Sequence, residues 1–128
     1  MKYITVEMLE SRLACADQIE LFKATFKTGM AALNKTNKAK AVKAGLIFSF
    51  CAVFLRDLEH KNFEVVRDPA LQQYMAAYRS ALKRYAASEH NADARKELAA
   101  SCDPVWKQYE SVSNEALLAA LIAQGEAA

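Results

Sequence analysis

The sequence predicts an all-α fold, a compact bundle of six or seven helices whose last two are the longest. Three observations carry that expectation. Leu71, Tyr74, Met75, Tyr78, Leu82 and Tyr85 recur at i, i+3, i+4, i+7, i+11 and i+14, the spacing of one helix face. Only three Gly and two Pro occur in 128 residues, too few turn formers for an all-β chain. A short phrase also repeats: Pro69-Ala70-Leu71-x-x-Tyr74, then Ser80-Ala81-Leu82-x-x-Tyr85, then Pro104-Val105-Trp106-x-x-Tyr109. The first two lie 11 residues apart, close to three helical turns, so equivalent positions share a face. Residues 1–128 suit one helical domain with a single core.

Thr5 caps a first short helix, with Glu7 near its positive end. A second helix spans about Ala14 to Lys27, where Cys15, Ile19, Phe22 and Phe26 form an apolar face, and Gly29 stops it. Thr36 or Asn37 caps a third helix to about Ala44, closed by Gly45. Ser49 caps a fourth, Phe50 to about His60, whose first turns are apolar all round, as in a helix enclosed by others. A buried strand over Leu46 to Phe54 is the alternative, with Phe63 to Val66 as its only candidate partner.

Asp68-Pro69 reads as an N-cap followed by proline at the first helical position. The long helix that follows breaks over Ser88 to Asn91. Asn91 caps a shorter helix to about Ser101, and Asp103-Pro104 starts the last one, towards Gln124. Its Leu117-Leu118-Ala119-Ala120-Leu121-Ile122 segment is apolar on most sides and needs a neighbour. If that neighbour is a second chain, Leu117, Leu118, Leu121 and Ile122 form a homo-oligomer contact. The aromatic stripe reads as core, with one or two members exposed.

Formal net charge is only +2, but its distribution is uneven. No acidic residue lies between Glu20 and Asp57, a window holding Lys23, Lys27, Lys35, Lys38, Lys40, Lys43 and Arg56. Lys35, Lys38, Lys40 and Lys43 are the candidate partner-binding residues, although at 100° per residue they spread over about 200° of a helix. A solvated lysine surface is the plainer reading. The functional readings are docking on an acidic protein, or phosphate contact by a nucleic-acid-binding accessory through residues 23–43.

Cys15, Cys51 and Cys102 are odd in number and scattered, which suits reduced thiols in an intracellular protein. Asp57 with His60, and His90 with Asp93, are spaced to form base-orienter couples, but neither extends to a metal-ligand pattern. Ser49 lacks the flanking glycines of a nucleophile elbow, and no glycine-rich phosphate loop is present. These patterns predict no enzyme, no cofactor and no metal. The longest apolar run, Ala44 to Leu55, is too short to span a membrane, and a signal peptide is not expected, so the predicted location is cytoplasmic.

Ile4-Thr5-x-Glu7-x-Leu9 followed by Ala14-Cys15-x-Asp17-Gln18-x-x-x-Phe22 resembles the start of a loose group of small uncharacterised bacteriophage and prophage proteins. Ala41-x-x-Ala44-Gly45-Leu46 and Ala52-x-x-Leu55 are similar to their next helices. Pro104 to Val112 partly matches their Ala-Pro-Ala-x-x-x-Tyr-x-x-Val phrase; the lysine-rich third helix departs from the pattern. The resemblance implies a phage or mobile-element accessory protein inside a bacterial host cell. Such a protein binds, and modulates or inhibits, a host complex such as a defence or nucleic-acid-processing system. A structural or assembly role is the remaining alternative.

Overall fold

In a computed structural model, which describes residues 2–12 and 14–127, short elements form a base and two long helices form a hairpin. The order is β1 (Tyr3–Thr5), α1 (Val6–Ser11), α2 (Ala16–Thr25), β2 (Met30–Ala32), α3 (Lys35–Ala44), a 3-10 helix (Ser49–Phe54), α4 (Asp57–Ala86) and α5 (Ala92–Ala127). Among the described residues the fold is all-α apart from one antiparallel strand pair.

That pair, in the register Tyr3↔Ala32, Ile4↔Ala31 and Thr5↔Met30, went unforeseen. Three-residue strands are too short to show a period of two, and their pairing is not local. Beyond the strands, Val6 N–H donates to Gly29 C=O at 3.0 Å and Leu33 N–H to Lys2 C=O at 2.9 Å. Gly29 sits at φ +76°, where a side chain would strain the backbone, and turns the chain from α2 into β2.

The sequence places the cap of α1 and misplaces that of α3. Thr5 Oγ1 accepts from Met8 N–H at 3.3 Å, and Asn34 Oδ1 accepts from Asn37 N–H at 2.8 Å, so Asn34 and not Thr36 or Asn37 caps α3. Gly45 closes α3 in the left-handed region, at φ +81°. Phe22, with no exposed surface, centres the core; its ring meets Phe26 at 5.2 Å and, edge-on, Phe48 at 6.2 Å. Ile4, Leu9, Leu46, Cys51, Leu117 and Leu121 complete the innermost layer.

Two expectations fail along the apolar run. Phe50 to His60 is not one helix, nor is Leu46 to Phe54 a strand: a 3-10 helix ends at Phe54, Leu55 is extended, and α4 begins at Asp57. Phe63 to Val66 lies inside α4. Side-chain amides replace regular pairing here. Gln18 Oε1 accepts from Ile47 N–H at 2.9 Å. Asn114 Oδ1 accepts from Phe48 N–H at 2.9 Å, while its Nδ2 donates to Leu46 C=O at 2.6 Å. Gln124 Oε1 accepts from Arg56 N–H at 2.7 Å, and its Nε2 donates to Phe54 C=O at 2.9 Å. Buried backbone polar groups must be paired, and three amides do that for an irregular segment.

The Asp-Pro signals mislead as well. α4 runs through Pro69 and α5 through Pro104 without ending. A proline inside a helix costs about 3 kcal/mol through the lost N–H and a clash with the carbonyl four residues back. Packing of α4 against α5 offsets that local cost. The break over 88–91 is present, and Asn91 Oδ1 caps α5 by accepting from Ala94 N–H at 2.9 Å.

Candidate functional site

α3 carries the lysines. Ala41 is buried and fixes the inward side of the helix. Opposite it, Lys35, Lys40 and Lys43 are exposed within an arc of about 140°. Lys38 turns away from them to the flank, half-buried, with Nζ 3.8 Å from Glu115 Oε1 on α5. The four candidates therefore divide: three form one outward face, and the fourth lies at loose ion-pair distance from the hairpin.

Among the described residues none of the three outward lysines has an ion-pair partner within 4.0 Å. Elsewhere in the acid-free window, Lys23 pairs loosely with Glu20 at 3.7 Å, and Arg56 Nη2 donates to Gln124 C=O at 3.0 Å. Lys35 also stands in the first turn of α3, which has no acidic residue to complement the helix dipole. The face holds positive charge with no ion-pair partner among the described residues.

The aromatic stripe is partly core. Tyr74 is half-buried at its centre, 5.1 Å from the Trp106 ring, 6.0 Å from Tyr78 and 6.1 Å from Tyr109. Tyr78 and Trp106 remain 38% and 42% exposed. The expected single face of α4 is really two: Tyr74 and Tyr85 lean towards α5, while Leu71, Met75, Tyr78 and Leu82 lie farther round the helix.

Leu117, Leu118, Leu121 and Ile122 do not offer an oligomer contact. They are 1%, 2%, 1% and 7% exposed, covered by this chain's own base. The segment found its neighbour inside the molecule.

The histidines do not join the aspartates three positions away. His60 Nδ1 lies 3.0 Å from Glu64 Oε1, and the His90 ring stacks on Tyr85 at 4.7 Å with Nε2 3.2 Å from Ala86 C=O. His90 sits in the break between α4 and α5 at φ +53°. Cys51 is fully buried, and burial pushes its thiol from 9.0 up to about 12, against a smaller opposing pull from Arg12. Cys15 is exposed and Cys102 buried. Among the described residues no three or more His, Cys, Asp or Glu side chains are grouped to hold a metal ion. No described helix is long and apolar enough to cross a membrane.

The amides of Gln18, Asn114 and Gln124 were not anticipated. The signal was present for two of them: Asn114 and Gln124 share a helix face with Leu117 and Leu121, so polar groups there had to enter the core. No family model, curated protein or solved structure matches this chain.

Proposed function

We propose that the protein is a non-enzymatic binding protein that docks the lysine face of α3 on an acidic surface of a host macromolecular complex and thereby modulates or inhibits it. The observation that carries this reading is the exposure of Lys35, Lys40 and Lys43 on one arc with no counter-ion within 4.0 Å among the described residues, while Lys38 turns towards Glu115. Desolvating such charges is costly, so they favour a partner that supplies carboxylates or phosphates of its own. The phage-like segments supply the context, an accessory protein of a phage or mobile element working in the host cytoplasm.

Capture from host lysate tests the reading, comparing the native chain with a Lys35→Glu, Lys40→Glu, Lys43→Glu variant. Loss of a stably captured complex in the variant alone supports it. Equal capture by both chains, or none by either, overturns it. Nuclease treatment is the second arm: capture abolished by nuclease transfers the lysine face to direct nucleic-acid binding.

A further inference from the structure

α2, the end of α3, the run after Gly45 and one face of α5 meet around a groove of about 420 Å³. That volume lies within the roughly 300–1,000 Å³ of small-molecule sites. Its floor is fixed by side-chain amides. Asn114 commits its amide to Phe48 N–H and Leu46 C=O, and Gln18 Oε1 accepts from Ile47 N–H. Lys107, Glu110 and Ser111 share the α5 face of Asn114, at i, i+3, i+4 and i+7, and line the groove with it. Three residues apart on a helix, Lys107 and Glu110 are spaced to pair with each other, yet no ion pair within 4.0 Å joins them. Two opposite charges therefore stand apart beside an apolar wall of Val42 and Ile47. The groove of similar volume between α3, α4 and α5 differs: its floor is alanine, and its Lys38 already lies 3.8 Å from Glu115.

We propose that this groove binds a small zwitterion, an α-amino acid with an apolar side chain. Lys107 takes the carboxylate and Glu110 the ammonium, each through a charge-assisted hydrogen bond. Gly45 closes α3 at the groove, so the partial negative charge of that helix C-terminus adds to Glu110 at the ammonium end. The Ser111 hydroxyl donates or accepts as the bound group requires. The ligand's side chain covers Val42 and Ile47, both half-buried, and removes their remaining apolar surface from water. A ligand with one charge gains only one of the two pairs, so the separation of Lys107 from Glu110 selects for two. The site lies on the Val42 flank of α3 and not on its outward lysines, so it does not depend on what those lysines bind.

The test follows the amide NMR shifts of the full chain during titration with leucine, isoleucine, methionine and phenylalanine. The expected result is a saturable response at Gly45 to Ile47 and at Lys107 to Ser111 with at least one of them. The decarboxylated amine and the deaminated acid of the best binder keep its side chain with one charge each. Both should bind at least about tenfold more weakly. Lys107→Met and Glu110→Gln should each weaken binding by a similar factor, with the spectrum of the unliganded variant unchanged away from the substitution. No saturable response to any of the amino acids overturns the proposal. So does a response confined to other parts of the chain, equal binding of a singly charged analogue, or an affinity indifferent to either substitution.

Discussion

Asn114, on α5, accepts the backbone N–H of Phe48 at 2.9 Å, in the non-helical run that leads into the 3-10 helix. The same amide donates to Leu46 C=O at 2.6 Å, so one side chain pairs two buried backbone groups two residues apart. Asn114 is 5% exposed, and Leu46 and Phe48 are 0% and 1% exposed. The irregular run is held in place by the hairpin, and α3 with its lysines is joined to that run through Gly45.

Removing the Asn114 amide should therefore unsettle the whole base. Orphaning a buried donor or acceptor costs about 1–3 kcal/mol each, so Asn114→Ala should lose about 2–5 kcal/mol in denaturant titration. A loss below about 1 kcal/mol would show that water reaches both groups.

Gln124 and Gln18 make a graded pair. Gln124 is 9% exposed and serves Arg56 and Phe54, whereas the Gln18 bond to Gly45 C=O is a long, exposed 3.4 Å. Gln124→Ala should destabilise more than Gln18→Ala, by about 1 kcal/mol or more. The reverse order in parallel melts would sink the clamp as described.

Much of this architecture can be read from sequence, and the failures have particular causes. Thr5, Gly29, Gly45 and Asn91 act through local backbone preference, so their roles are readable. Pro69 and Pro104 give the same local signal as a helix start and are overridden by contact between α4 and α5. Apolar residues follow one another from Leu46 to Phe48 and from Phe50 to Leu55 without a helical period, and their path is set by three distant amides. The lysines were visible as a cluster, but which three face outward depended on Ala41 and Glu115. That the apolar end of α5 is covered from within depended on the base, which periodicity does not reveal.

The overridden prolines give a stability prediction of unusual sign. Pro69→Ala and Pro104→Ala each restore an N–H for the carbonyl of Val65 or Ala100. Each should stabilise the protein by about 2 kcal/mol: an interior proline costs about 3, and the more flexible unfolded chain takes back about 0.4–1 of that. A lowered melting temperature in either variant would mean that the proline shapes the packing of the two helices.

Cys51 gives a pH dependence. Its thiol stays protonated in the folded chain up to about 12, whereas the unfolded thiol ionises near 9.0. Ionisation then favours the unfolded chain, so the Cys51 contribution is fully present below pH 9 and is lost as pH rises from 9 to 12. The native chain should lose more stability across that window than Cys51→Ala. A thiol reagent at neutral pH should modify exposed Cys15 and spare Cys51 until the protein unfolds. Equal alkaline slopes for the two chains, or early labelling of Cys51, would contradict its burial.

The most direct test of the lysine face as a docking surface is the salt dependence of affinity for the captured complex, measured with the native chain and with the Lys35→Glu, Lys40→Glu, Lys43→Glu variant. The face predicts a steep fall in affinity between about 50 and 200 mM salt, with both the affinity and its salt slope much reduced in the variant. An affinity indifferent to salt and unchanged by reversing the three lysines would contradict it.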